Sequence, residues 1–138
     1  MVQAFTFTQT DPRAGLNPDR SRHTVLLVDD DELMRGVLGE VLADNGFAVL
    51  AAASAPEAMA ILNRGAAVDI VFSDLKGPGM NGAALAHWIA HTRPGLAVVL
   101  AGVRHGHMAP LPHQAEFLRK PCDFDQIVTC IRAAITRH

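Results

Sequence analysis

Cysteine is scarce in this 138-residue chain: only Cys122 and Cys130 occur. They are too few and too close together for a disulfide framework, so reduced thiols in an intracellular setting are expected. No apolar run approaches the roughly 18 residues that a membrane span needs. The start, Met-Val-Gln-Ala-Phe-Thr, lacks the basic lead and long apolar stretch of a secretory signal. An excess of charge of one sign is missing too. Twelve Lys and Arg against 14 Asp and Glu leave a formal net charge of -2, which argues against a nucleic-acid binder, usually strongly basic. Lysine is nearly absent: Lys76 and Lys120 are the only two, the other ten basic residues being arginine. What is present is hydrophobic mass. Hydrophobic residues make up 49% and charged residues 19%, enough for a packed core in a chain of one-domain length. A soluble, cytoplasmic, single-domain protein is the expectation, with no membrane and no nucleic acid among its partners.

Residues 1–22 have no usable period and carry Pro12, Gly15 and Pro18; they read as a flexible tail, with a short extended piece at Ala4–Thr8, before a domain over 23–138. Thr24–Val28 is a short continuous apolar run, suited to a strand buried on both faces. Met34, Val37, Leu38, Val41 and Leu42 then recur at helical spacing, and Asn45-Gly46 supplies a stop. Phe47–Ala52, Asp69–Ser73, Leu96–Leu100 and Glu116–Leu118 are further strands. Ser54-Ala55-Pro56-Glu57 has the capping-box pattern and opens a second helix. A third runs through Leu85, Trp88 and Ile89, and Phe124 to Ile135 forms the apolar stripe of a last one. Strands alternating with helices imply a parallel sheet covered on both faces. The stretch Gly102–Ala115, with His105, His107, Pro110 and Pro112, resists the pattern. Proline costs about 3 kcal/mol inside a helix, so a loop or one or two turns is expected there.

Ligands of such sheets gather outside the carboxyl ends of the strands, and the unusual charges fall there. Asp29-Asp30-Asp31-Glu32 follows the first strand, Asp74 the third, and Lys120-Pro121 the fifth. Clustered carboxylates repel one another, and a hard divalent cation such as Mg²⁺ relieves that repulsion. One of Asp31 and Glu32 is assigned to helix-start chemistry. Both lysines fall in loops at this same edge, and a lysine is a compact charge on a flexible stem, suited to a phosphoryl oxygen.

Three segments in order, Val-Leu-Leu-Val-Asp29-Asp30-Asp31, Phe-Ser-Asp74-Leu-Lys-Gly-Pro78-Gly-Met-Asn-Gly82 and Phe117-Leu-Arg-Lys120-Pro121, make the chain resemble the receiver domain of two-component response regulators over about residues 23–137. The resemblance implies a single α/β domain of flavodoxin-like (βα)₅ fold. It implies that Asp74 is the phosphoacceptor, taking the group from a phosphohistidine of a histidine kinase or a histidine phosphotransfer protein. Asp30 and Asp74 would ligate Mg²⁺ with the backbone carbonyl of Lys76, and Asp29 would act largely through bound water. Lys120 would pair with Asp74 and then with the phosphoryl group. Such a chain is a signalling protein rather than a turnover enzyme, and Asp74-Leu75-Lys76 lacks a second carboxylate two residues on that could serve as general acid.

The sequence departs from that family in one region. Where a Ser or Thr normally ends the fourth strand, alignment puts Ala101, whose methyl cannot donate a hydrogen bond to a phosphoryl group. The proline-bearing loop takes the place of the fourth helix. Phe117 stands at the family's aromatic switch position and is read as core packing. Lys76 is either a solvated side chain lending its carbonyl or a group acting on the metal or the phosphoryl oxygens. His105, His107 and His113, and the pair His87 and His91, are read as surface histidines. Two functions are in play. One is a phosphorylatable receiver with weakened or altered switching; the other is a phosphorylation-independent docking module. Partners would use the last helix and the altered fourth crossover, with a homodimer through that face as one arrangement. No output domain follows the last helix, so a stand-alone receiver and one cut from a hybrid kinase or regulator are both open.

Overall fold

A computed structural model of the chain describes residues 22–76, 80–103 and 110–137. The expected extended piece at Ala4–Thr8, the centre of the Gly/Pro loop at 77–79, and His105 and His107 lie outside the described residues.

Five strands alternate with helices: β1 (Thr24–Val28), α1 (Glu32–Asp44), β2 (Ala48–Ala52), α2 (Ala55–Asn63), β3 (Ile70–Asp74), α3 (Gly82–Thr92), β4 (Ala97–Gly102), β5 (Ala115–Arg119) and α4 (Phe124–Arg137). All pairings are parallel, in the order β2-β1-β3-β4-β5. This is the expected doubly wound (βα)₅ arrangement, and among the described residues no helix joins β4 to β5.

The central strands read as unbroken apolar runs because both faces are covered. Successive side chains go to opposite sides. Val25, Leu27, Phe72, Val99 and Ala101 pack with Leu38, Leu42, Ile127 and Ile131 from α1 and α4. Leu26, Val28, Val71, Val98 and Leu100 pack with Ile61, Leu62, Leu85 and Ile89 from α2 and α3. Phe117 and Trp88 are half-buried against this second cluster.

The helix starts follow local chemistry. The Asp31 carboxylate caps α1, accepting from the amides of Leu33 and Met34. Ser54 Oγ accepts from the Glu57 amide, and Glu57 Oε1 accepts in turn from the Ala53 amide. Asn81 Oδ1 accepts from the Ala84 amide at the start of α3. Gly46 ends α1 with a φ of 93°, in the left-handed region that glycine tolerates.

Met34 and Val37, which keep the helical spacing of α1, are exposed, and Leu33 is 78% exposed. The covered stripe of α1 begins only at Leu38. A second feature had no signal in the sequence. Gln114 is buried, and its amide nitrogen donates to the carbonyls of Arg93 and Leu96, clipping the lead of β5 to the turn after α3.

Candidate functional site

The sheet positions its carboxyl edge by extending the hydrogen-bond ladder just past the strands. The Asp29 amide donates to the Ala52 carbonyl, Leu75 to Ala101 and Lys120 to Gly102, at 3.1, 2.8 and 2.9 Å. Asp74 lies beside Ala101 in register, and Gly102 beside Arg119. Residues 29, 74 and 120 therefore meet on one edge although they are far apart in the chain.

Asp29, Asp30 and Asp74 each offer a carboxylate oxygen, and the three oxygens lie within 4.8 Å of one another. No other group of three or more His, Cys, Asp and Glu side chains among the described residues comes together this way. Lys120 Nζ donates to Asp74 Oδ1 at 2.6 Å, with the lysine side chain 46% and the aspartate side chain 19% exposed. The pair is short and charge-assisted, yet open enough for an incoming group. The Lys120-Pro121 peptide bond behind it is cis.

Asp29 is only 6% exposed. Burial pushes its carboxyl up from 3.8 to about 6, with the charge and hydrogen bond of Asp74 adding to the rise; the Asp31 amide and Lys120 oppose it. The amide contact is a 2.9 Å hydrogen bond to Asp29 Oδ1, and Arg35 Nη1 donates to the Asp29 carbonyl. Burial alone would lower the Lys120 ammonium, but the hydrogen bond and charge of Asp74, with Asp29 beyond, raise it, so it remains a cation. Burial raises the Cys122 thiol despite nearby Lys120, which keeps it from being a ready thiolate nucleophile.

Clustered oxygen donors with no thiolate or imidazole among them suit a hard cation such as Mg²⁺, which takes one or two carboxylates and keeps waters. A cation held beside Asp29 would favour its charged form against the burial and, after it, the Asp74 charge that raise its carboxyl. The residues present therefore fit the ion.

The loop after β3 is shaped by two glycines. A Cβ on Gly82 would come within 2.3 Å of the Asp74 carbonyl oxygen, and one on Gly102 within 2.6 Å of Leu75 Cβ. The Ser73 hydroxyl donates to that same Asp74 carbonyl, and the Gly82 amide to Leu75. These contacts hold Asp74 at the floor of an open cleft of about 420 Å³ lined by Asp30, Asp74, Lys76, Ala101, Gly102, Val103 and Lys120. Both lysines of the chain face this cleft. On α3, His91 Nδ1 lies 2.9 Å from the His87 carbonyl, and among the described residues these two histidines join no group of three ligating side chains.

The structure thus brings together Asp29, Asp30, Asp74, Lys76, Ala101 and Lys120. Phe117 is set apart, on the α2/α3 face of the sheet. The sequence reading missed the exposed apolar start of α1, because Met34 and Val37 fit the helical period as well as the buried positions do.

The family model of the response regulator receiver domain matches residues 25–132. The chain is 38% identical over 117 residues to the C4-dicarboxylate transport transcriptional regulatory protein DctD of Rhizobium meliloti, covering 80% of this chain and 25% of that protein. It is 34% identical over 120 residues to the sensor kinase CckA of Brucella abortus, covering 83% of this chain and 13% of that one. The chain therefore spans a quarter or less of the length of these two relatives. Among solved structures it resembles a response regulator receiver protein from Sinorhizobium medicae, with a TM-score of 0.73 at 26% identity, covering 86% of this chain and 98% of the other.

Proposed function

The chain belongs to the response regulator receiver domain family of two-component signalling, and we propose that it accepts a phosphoryl group on Asp74 from the phosphohistidine of a histidine kinase or histidine phosphotransfer protein. The observation that carries this reading is the contact of Lys120 Nζ with Asp74 Oδ1 at 2.6 Å beside the carboxylates of Asp29 and Asp30. A carboxylate oxygen of Asp74 forms the new bond to phosphorus while the bond from phosphorus to the donor imidazole nitrogen breaks, its electron pair staying on that nitrogen. Lys120 then moves its hydrogen bond from the carboxylate to a phosphoryl oxygen. Asp29, Asp30, Asp74 and the carbonyl of Lys76 would hold Mg²⁺, which supplies positive charge to the transferring oxygens. Hydrolysis of the acyl phosphate returns the Asp74 carboxylate and releases inorganic phosphate, so the state is a timed signal rather than a turnover product.

Leu33, Met34 and Val37 expose apolar side chains at the start of α1, directly after the acidic run. The receiver unit is taken as residues 23–138 after a lead of 1–22. The same reading puts the chain in the cytoplasm, in keeping with the free thiols Cys122 and Cys130.

The test is incubation with Mg²⁺ and acetyl phosphate followed by intact mass. A gain of one phosphoryl group is expected on the wild type and none on Asp74→Ala. An unmodified wild type, or an adduct that survives the substitution, overturns the reading. The alternative, a docking module indifferent to phosphate, draws on Ala101 and on the helix-free described part of the β4–β5 connection. It requires partner binding to be unchanged in Asp74→Ala.

A further inference from the structure

The peptide bond between Asp29 and Asp30 joins two of the three carboxylates that meet at the edge. A peptide is planar, so whatever fixes its carbonyl oxygen also fixes the direction in which Asp30 leaves the sheet. The Asp29 side of this joint is held from within. Its amide donates to the Ala52 carbonyl, and its carboxylate accepts from the Asp31 amide. Asp30 is different: it is exposed, so packing does not set its direction and the shared peptide has to do so.

Arg35 supplies that hold. It is half-buried in the first turn of α1, where its amide donates to the Asp31 carbonyl at 2.8 Å. Its side chain folds back over the helix start, and Nη1 donates to the Asp29 carbonyl at 2.8 Å. Asp31 anchors the same turn by capping α1 with its carboxylate. The segment from Asp29 to Arg35 is thus closed at both ends. Because the acceptor is a backbone oxygen, the guanidinium steers the two acids without occupying a carboxylate oxygen that a metal needs. A fixed cation beside a cation site would, through charge alone, weaken metal binding, so the contact favours the site only through geometry.

We infer that Arg35 is a positioning residue of the metal cradle, and that by clamping the peptide between Asp29 and Asp30 it gives the site a preference for Mg²⁺ over the larger Ca²⁺. This rests on the reading of Asp29, Asp30 and Asp74 as the groups that hold Mg²⁺. Mg²⁺ demands near-ideal octahedral geometry at about 2.0–2.1 Å, whereas Ca²⁺ accepts a flexible set of oxygens at about 2.3–2.6 Å. Fixing the angle between two adjacent carboxylates therefore favours the stricter ion. Releasing it harms the tolerant one little.

Titration of the full chain with Mg²⁺ and, separately, with Ca²⁺, followed by amide NMR shifts, tests this on wild type, Arg35→Met and Arg35→Lys. Arg35→Met should bind Mg²⁺ about ten-fold more weakly, the lower end for losing a group that orients a metal ligand. Its Ca²⁺ affinity should fall about two-fold or less. Arg35→Lys keeps a donor on a long stem and should lie between the two, in Mg²⁺ affinity and in the ratio of Mg²⁺ to Ca²⁺ affinity. Amide dispersion without metal reports whether each variant is folded, and Arg35→Lys carries the test should Arg35→Met fail to fold. Unchanged or tighter Mg²⁺ binding in a folded variant overturns the inference, tightening being what charge alone predicts. So does an equal loss for both ions, which would be a general loosening of the edge, or a wild type without preference for Mg²⁺. A wild type whose shifts ignore both ions overturns the metal reading itself, and this inference with it.

Discussion

The exits of β3 and β5 differ sharply from the exit of β4, although all three lie on one edge of one sheet. At β3 and β5 the charged groups are complete: Asp74 meets Lys120, with Asp29 and Asp30 beside them from β1. At β4 the edge carries Ala101, Gly102 and Val103, apolar side chains or none, and the described part of the connection beyond is not helical. On the proposed function, the contrast separates forming the acyl phosphate from reading it out. Nucleophile, metal cradle and lysine would serve the first, since phosphoryl transfer asks mainly for positioning and charge. A donor at the end of β4 would serve the second, by tying the phosphoryl group to the exit of that strand.

The hardest way to break the comparison is to strike its charged side. Asp74→Asn should abolish the adduct with acetyl phosphate altogether, read by intact mass. Lys120→Met should slow its formation about a hundred-fold, as expected when one preorganised donor to developing charge is lost. A mild effect at Lys120 would mean that the metal cradle alone carries the chemistry.

The cost of keeping that charge together is the next target. Asp29 binds its proton more tightly in the folded chain than when unfolded, since its value rises from 3.8 to about 6. Its contribution therefore favours the fold most below about pH 4 and is lost as pH climbs through about 6. Without metal, this one group should make the protein less stable at pH 7.5 than at pH 4.5 by about 2 kcal/mol, the roughly 1.5 units between pH 4.5 and the raised value counting about 1.4 kcal/mol each. Asp29→Asn should flatten that dependence in urea unfolding. Proton and metal compete for the same oxygens, so Mg²⁺ should bind more weakly below pH 6 than at pH 7.5.

Packing beneath the edge can be tested with a methyl group. Gly82→Ala sets a Cβ against the Asp74 carbonyl at 2.3 Å, a contact with rigid backbone that cannot simply swing aside. A loss of about 2 kcal/mol in unfolding free energy is expected, the scale of overpacking in a closed site. Phosphorylation by acetyl phosphate should fall with it, because the strained carbonyl belongs to the proposed acceptor.

Much of this edge was legible in the sequence. Continuous apolar runs such as Thr24–Val28 announce strands covered on both sides, and acids or a lysine directly after three of those runs announce a shared edge, because parallel strands put all their carboxyl ends together. The capping pattern from Ser54 to Glu57 was equally plain, since it is local. What escaped depends on contacts distant in sequence. Met34 and Val37 keep the same helical period as Leu38 and Leu42 yet lie exposed, because periodicity says which residues share a face and not how far the cover over that face extends. Gln114 looks like any polar loop residue until the turn after α3 arrives at its amide. The cleft that gathers Lys76 with Lys120 likewise depends on the contacts of Leu75, in which Gly102, twenty-seven residues downstream, takes part.

The smallest expected effect sharpens the comparison most, because it restores to β4 what the other exits already have. Ala101 is buried with Leu27, Phe72 and Ile127 and also borders the cleft, so Ala101→Ser is the least intrusive way to put a hydroxyl there. The added oxygen can donate to a phosphoryl group when one is present, at a cost to the unmodified fold of about 1 kcal/mol for a polar atom beside the core. Fluoroberyllate should bind Ala101→Ser a few-fold more tightly than the wild type. The more telling readout is spatial. In the wild type, amide shifts on adding fluoroberyllate should concentrate near Asp74 and Lys120, whereas in Ala101→Ser they should extend to Leu111, Gln114 and Phe117. Should the wild type already show the wider response, the phosphoryl signal reaches the β4–β5 connection without a hydroxyl at 101, and the division between chemistry and readout drawn along this edge is wrong.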